Sequence, residues 1–291
     1  MFCPVGTCRR SSAISSRAGR RTCWTGSRSA GCRSRTAPMC AAACGCSRCI
    51  GAWIWAARHS ATGSATTCHL RRASRSRKTG ASPRGSGAVS QDRWDARFDR
   101  EDYVFGTAPA EFLLRMAGWL PPGAEVLCVA DGEGRNSVYL AGLGHNVTAF
   151  DISPVGLEKA QRLAQSEGVS VAFHRAAIEA WDWSRSFDAV VGIFIQFLPP
   201  EARDRALTQM GVAVRPGGYL LLHGYAPRQV GYGTGGPPQA ENMYTEDMLR
   251  AHFADWDILR LADFDAEIAE GIGHVGRSAL VDFVARKPAK D

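Results

Sequence analysis

The run Val126-Leu127-Cys128-Val129-Ala130, followed directly by Asp131-Gly132-Glu133-Gly134-Arg135-Asn136, decides how this chain folds. An apolar run of this length reads as a buried strand, and the glycine pair after it as a tight turn that opens a helix. A helix start offers backbone N–H groups and a positive end to one ligand, so the turn reads as a nucleotide-type binding site. Gly132 and Gly134 lack a Cβ, which permits positive φ and a close approach of ligand to backbone. Seventeen residues beyond Gly134, a second apolar run, Val147-Thr148-Ala149-Phe150, ends on Asp151. A carboxylate at that spacing is placed to accept hydrogen bonds from two ribose hydroxyls.

Two ligand classes suit this pattern: a dinucleotide, whose pyrophosphate needs the helix N-terminus, and S-adenosylmethionine, which carries an amino acid instead. A carboxylate in the turn, Glu133 with Asp131 beside it, repels a pyrophosphate but tolerates the ammonium of a methionine moiety. The third small residue of the dinucleotide pattern is Ser137 instead of Gly or Ala. Charge and pattern both favour S-adenosylmethionine.

From Trp94 onward the chain resembles the class I S-adenosylmethionine-dependent methyltransferases, closest to the small tellurite-resistance and thiopurine-type enzymes. The resemblance is carried by the glycine turn at Asp131 to Asn136 and by Asp151 followed by Ser153-Pro154. It is also carried by the strand Phe187-Asp188-Ala189-Val190-Val191, and by Arg215-Pro216-Gly217-Gly218 ahead of Tyr219-Leu220-Leu221-Leu222. It implies a Rossmann-like, doubly wound α/β fold: a seven-stranded, mostly parallel sheet with an antiparallel C-terminal strand pair and helices on both faces. It also implies that Trp94, Arg97, Phe98, Tyr103, Phe105, Gly106 and Pro109 cap the cofactor, Arg97 and Gly106 as site residues. The chain departs from the family where Cys128 replaces an acid and Ala130 a glycine, and Asp131 is placed to compensate. Ala177 stands where the family often has the Asp that binds adenine, leaving that ring to backbone and apolar contacts near Ala177 and Ile178.

The overall charge of +7 describes neither half of the chain. Residues 1–90 hold 15 Arg, one Lys, no Asp or Glu, and nine of the ten cysteines, a net charge of +16. The remaining 19 basic residues face all 28 acidic ones after Ser90, a net charge of −9. An Arg-, Ser-, Gly- and Cys-rich stretch with few branched aliphatics buries too little apolar area to offset its ordering entropy, so residues 1–90 are expected to be a disordered extension. A transit peptide, a nucleic-acid-binding arm and a mis-assigned start site are three readings of it, and the near absence of lysine beside nine cysteines favours the last. Cys40, Cys44, Cys46 and Cys49 lack the two separated knuckles of a structural zinc site, so no metal is expected. Ile50 to Ala57 is too short to span a bilayer. One cysteine, Cys128, in the remainder gives no disulfide framework, and a reducing cytoplasmic location is expected.

After Asp92, short apolar runs alternate with helical periodicity, the mark of a parallel sheet covered on both faces. A helix is expected over Ala108 to Leu120, with Phe112, Leu113, Met116 and Trp119 on one face and Pro121-Pro122 stopping it. Ser153 caps the next helix, with Pro154 at its first position and Gly168 at its end. Strands are expected at Val171 to His174, Asp188 to Ile193 and Tyr219 to Gly224. Helices are expected at Glu201 to Val214 and from Thr245 through His252. Trp256 to Asp263 and Ser278 to Ala285 read as the last strands, joined by a loop holding Gly271-Ile272-Gly273-His274. That loop lacks a helical pattern, so the pair is antiparallel.

Ligands of open α/β sheets sit at the carboxyl ends of the strands where strand order reverses. The expected cofactor residues are therefore Arg97, Gly106, Asp131, Gly132, Gly134, Asn136, Asp151, Ile152, Ala177, Ile178 and Ile193. The Gly- and Pro-rich stretch Tyr232 to Pro238 is a candidate lid. Methyl transfer from a sulfonium is an in-line displacement that positioning alone accelerates. A thiolate or chalcogen oxyanion needs no base, whereas an amine or hydroxyl needs a proton acceptor, for which His223, Tyr225, Tyr232 and His274 are candidates and none is assigned. The acidic half lacks the basic face a nucleic-acid substrate requires, so a small molecule is expected as acceptor, with the chain a monomer or homodimer and no membrane partner. A nicotinamide-dependent oxidoreductase and a non-catalytic S-adenosylmethionine-binding module are the competing readings.

Overall fold

The structure, a computed structural model, describes residues 90–289. The expectations for the basic extension, the Cys40 to Cys49 cluster and Ile50 to Ala57 fall outside the described residues.

Helix α1 (Gln91–Phe98) is followed by α2 (Glu111–Met116), β1 (Glu125–Val129), α3 (Arg135–Gly142), β2 (Asn146–Asp151), α4 (Pro154–Glu167) and β3 (Ala172–Arg175). Then come β4 (Phe187–Ile193), α5 (Pro200–Ala213), β5 (Val214–Tyr225), α6 (Glu246–His252), β6 (Asp257–Glu270) and β7 (His274–Arg286). The seven strands form one sheet in the order β3-β2-β1-β4-β5-β7-β6. β1 through β5 pair in parallel, and β7 runs antiparallel to both β5 and β6. The order reverses between β1 and β4, which opens a crevice at their carboxyl ends. Apolar side chains bury both faces: Leu127, Val190, Leu220 and Phe283 on one, Val126, Cys128, Val191 and Leu221 on the other.

Ser153 caps α4 by accepting from the Gly156 N–H, and Gly168 ends it in the left-handed conformation, as the sequence suggested. Thr245 caps α6 through the Met248 N–H. Other boundaries differ. The helix expected over Ala108 to Leu120 shrinks to α2 and a 3₁₀ turn, Ala117–Trp119. Asn136 Oδ1 accepts the Ala110 N–H at 3.0 Å and fixes the start of α2, while Trp119 stays 44% exposed instead of joining the buried face. β5 begins at Val214, five residues before Tyr219, because Val214 pairs with Phe187 ahead of a register shift that absorbs the Pro216-Gly217 kink.

The last two strands are also longer than their apolar cores, reaching Glu270 and starting at His274. Beyond Asp263, β6 alternates exposed Asp265 and Glu267 with Phe264, Ala266 and Ile268, which pack against Tyr225, Met243 and Leu280. This period-two pattern extends the hairpin past the body of the sheet and swings its tip over the crevice.

Candidate functional site

A cavity of about 220 Å³ opens at the switch point. Its floor is the end of β1 and the glycine turn, with Ala130, Asp131 and Gly132, and the end of β2, with Asp151 and Ile152. Ala177 and Ile178 line it after β3, Ile193 and Phe194 after β4, and Tyr225 at the end of β5. Arg97 and Phe98 of α1, Phe105 of the following strap, Gly235 to Pro237 of the Gly-rich loop, and His274 of the hairpin close it.

Asp151 is held by two backbone amides: Oδ2 accepts the Gly132 N–H at 2.9 Å and Oδ1 the Ser153 N–H at 2.8 Å. Each oxygen keeps a free lone pair, enough for two hydroxyl donors. Burial pushes its pKa up to about 6, the amide bonds opposing. Asp131, half-buried near it, accepts from Ser137 Oγ at 2.5 Å. Burial, then the Asp151 charge, pushes Asp131 up to about 7. A group that offers a positive charge or hydroxyl donors to this pair relieves both. A pyrophosphate would not.

Glu133 plays another role than its sequence position suggested. It turns away from the cavity to ion-pair with Lys159 at 2.6 Å, both side chains 2% exposed. Its Oε2 accepts the Val104 N–H at 2.8 Å, and Lys159 Nζ donates to the carbonyls of Arg100 and Asp102 at 3.1 and 2.7 Å. The pair therefore clamps the strap after α1 onto the glycine turn. The charge argument against a pyrophosphate rests on Asp131 and Asp151 instead.

Gly132 and Gly134 both take positive φ, 62° and 88°. Gly132 lines the cavity, whereas a Cβ on Gly134 would meet Cβ of Ala160 in α4 at 2.6 Å. Gly134 thus serves helix packing behind the site. Gly106 likewise sits against the backbone of Gly271 in the hairpin tip, outside the cavity lining. Asn136 lines the cavity while its Oδ1 holds α2. Ala130 and Phe194, both on the cavity wall, are the non-glycine residues with positive φ, 48° and 55°. Such strain of roughly 1–3 kcal/mol each persists where surrounding structure enforces it, commonly at sites.

Of the proton-acceptor candidates, Tyr225 and His274 line the cavity and the other two do not. His223 is buried behind it, with Nδ1 2.8 Å from Asp282 Oδ1 and its ring stacked on Phe112 at 4.9 Å. Arg115 and Arg260 share Asp282, so this network ties β5 and β7 to α2. The Tyr232 hydroxyl donates to Asp265 on the outer hairpin at 2.6 Å. The Tyr225 hydroxyl and His274 Nδ1 share a hydrogen bond at 2.5 Å, and burial holds the phenol well above its usual pKa. His274 lies between the rings of Phe105 and Phe194, 4.5 and 4.1 Å away. Burial, then the charges of Arg135 and Arg97, push its pKa down to about 2. The ring is neutral, and in the tautomer with the Tyr225 hydroxyl as donor its proton sits on Nε2.

Three further residues of the cavity wall have roles that the sequence did not assign. Arg135, 6% exposed, ion-pairs with Glu270 of the hairpin at 2.7 Å. Gln196 exchanges two hydrogen bonds with the backbone of Tyr225. Glu179 lies beside Ile178. Arg135 was visible in the glycine turn as a cation where a helix dipole disfavours one; Gln196 and Glu179 carried no such signal.

Parallel sheet, switch-point cavity and buried carboxylate after β2 together form the ligand crevice of an open α/β fold. Residues 126–218 match a methyltransferase domain family. The chain is 29% identical over 202 residues to hemagglutinin 1 of Eikenella corrodens, covering 65% of this chain and 64% of that protein. It is 32% identical over 139 residues to a ubiquinone biosynthesis O-methyltransferase of Xanthomonas axonopodis pv. citri, covering 46% and 56%. The chain spans less than two thirds of the length of these relatives. Magnesium protoporphyrin IX methyltransferase (ChlM) from Synechocystis PCC 6803, solved with bound S-adenosylmethionine, shares the fold with a TM-score of 0.52. Its identity is 18%, over 70% of this chain and 100% of that one.

Proposed function

We propose that this chain transfers the sulfonium methyl of S-adenosylmethionine to a small-molecule acceptor. The observation that carries the reading is the Asp131–Asp151 pair on the cavity floor, ordered by the amides of Gly132 and Ser153. Asp151 accepts from the ribose hydroxyls and Asp131 faces the methionine ammonium, taking over from the family acid that Cys128 replaces. Arg97, the guanidinium of α1 on the cavity wall, pairs with the methionine carboxylate. Ile152, Ala177 and Ile178 form the slot for adenine, with Ile193 beneath the reacting sulfur. Phe98, Phe105 and Pro237 exclude water from the collinear displacement.

The acceptor is a thiol, a chalcogen oxyanion or an amine, and no residue is assigned as its base. Residues 91–291 make up the catalytic unit, with residues 1–90 an accessory extension. Nucleic acid is disfavoured as substrate by the net charge of −9 after Ser90. No helix of the described residues is long and apolar enough to cross a membrane. With Cys128 a free buried thiol, a reducing cytoplasmic setting fits, as does a monomer or homodimer. The test is turnover: thiols, selenite, tellurite and amines are screened with S-adenosylmethionine, and S-adenosylhomocysteine is quantified. Cofactor binding without S-adenosylhomocysteine from any acceptor class would favour a non-catalytic binding module.

A further inference from the structure

Arg135 occupies an electrostatically costly position. It is the first residue of α3, where the helix dipole repels a cation, and it is almost wholly buried. Glu270 neutralises it through Nη2, and Glu270 also accepts the Glu111 N–H. Arg135 Nη1 is buried and has no hydrogen-bond partner among the described residues. An orphaned guanidinium donor of this kind ordinarily costs more than its partner returns, so its retention on a cavity wall points to a ligand.

The second donor is His274. Nδ1 is engaged by the Tyr225 hydroxyl; in the tautomer with that hydroxyl as donor, Nε2 carries the hydrogen, and no protein acceptor takes it among the described residues. Both groups line the same cavity as Asp131 and Asp151, and Arg135 reaches the hairpin tip through Glu270. Resting on the assignment of the two acids to the cofactor, we propose that the methyl acceptor is a small anion, bound through Arg135 with His274 Nε2–H as the second donor. The guanidinium is shaped for a carboxylate or another oxyanion.

The chemistry balances without a base. A lone pair of the anion attacks the methyl carbon, the C–S bonding pair returns to sulfur, and a sulfonium and an anion become a neutral thioether and a neutral methylated product. No proton moves. The product has lost the charge that Arg135 holds, which favours its release.

The full chain is saturated with S-adenosylhomocysteine, binding being confirmed by calorimetry on the same sample. Matched carboxylate and carboxamide pairs (acetate and acetamide, butyrate and butyramide, benzoate and benzamide) are then titrated by ligand-observed NMR. At least one carboxylate should bind tenfold or more tightly than its amide, the ratio falling below threefold in Arg135→Gln and partly recovering in Arg135→Lys. Wild-type protein that prefers no carboxylate over its amide overturns the inference and needs no variant to do so. An unchanged ratio in Arg135→Gln overturns it too, as does a tenfold loss of S-adenosylhomocysteine affinity in that variant with anion preference intact, which would move Arg135 to the cofactor. If wild-type protein fails to bind S-adenosylhomocysteine, the cofactor assignment fails and this inference falls with it; binding without anion preference refutes the inference alone.

Discussion

Asp131 and Asp151 are two acids within one buried network, and their protonation links cofactor binding to pH. Both folded-state values, about 7 and about 6, lie above the ordinary 3.8. A raised value means that the native state favours the protonated form, so this contribution to stability is complete below about pH 4 and is lost as pH rises through 6 to 7. Asp131→Asn, a neutral isostere, should therefore stabilise the cofactor-free protein more at pH 8 than at pH 5, by a difference on the order of 2 kcal/mol. Thermal melts at the two pH values check this; equal effects at both would remove Asp131 from the titration. The cofactor acts in the opposite sense, since its ammonium and hydroxyls favour the ionised acids. Affinity for S-adenosylhomocysteine should fall as pH drops from 8 to 5.5, with proton release on binding. At this scale the sequence was legible wherever residue type and spacing dictate a role, as for Gly132 and Asp151. Glu133, Arg135 and His223 were not legible that way, because their partners Lys159, Glu270 and Asp282 lie 26, 135 and 59 residues along the chain. A carboxylate beside a glycine turn reads the same whether it faces a ligand or a lysine.

Two elements carry the site beyond its residues: the glycine turn packed on α4, and the strap between α1 and α2. Gly134→Val would drive a Cβ into Ala160 and force a β-branched residue into the left-handed region. We expect a loss of about 1–3 kcal/mol from overpacking and about 1–2 kcal/mol more from backbone strain. Chemical denaturation measures it, and cofactor binding should weaken only as far as the protein unfolds; a fully stable variant that cannot bind would return Gly134 to the cavity. The strap hangs on Lys159 and Glu133, and Ile272 and Gly273 of the hairpin tip donate to the Val104 carbonyl at 2.9 and 3.0 Å. Lys159→Met leaves a buried carboxylate unpaired and should cost about 3–5 kcal/mol. Hydrogen exchange should rise first at the amides of Val104 and Phe105, which Glu133 accepts. Uniform exchange across the sheet would deny the strap this local role. The elements themselves were readable from apolar runs and caps, except where polar residues continue a strand. The outer half of β6 is such a place, and the His274 position over the cavity depends on it.

For the whole molecule, the parallel sheet followed from alternating strand and helix patterns, because that alternation admits few topologies, while the reversal between β1 and β4 is seen only in the structure. The convergence of α1, the Gly-rich loop and the hairpin on one cavity did not follow from those patterns, since it is set by contacts between segments far apart in the chain, such as Phe105 and His274. Every group placed in the site lies after Ser90. A chain beginning at Gln91 should therefore unfold cooperatively and bind S-adenosylhomocysteine within about threefold of the full chain. Its failure to fold would give residues 1–90 a structural part. The claim on which all else depends is that the acids of the cavity floor bind a nucleoside carrying an amino acid rather than a pyrophosphate. Calorimetric titration of wild-type protein and Asp151→Ala with S-adenosylhomocysteine and with NADH tests it most directly. The wild type should bind S-adenosylhomocysteine at one site and leave NADH unbound, and Asp151→Ala should lose about 1.5–3 kcal/mol of that affinity, the range for hydrogen bonds to a charged group. NADH binding in place of S-adenosylhomocysteine, or equal affinity in the folded variant, would contradict it.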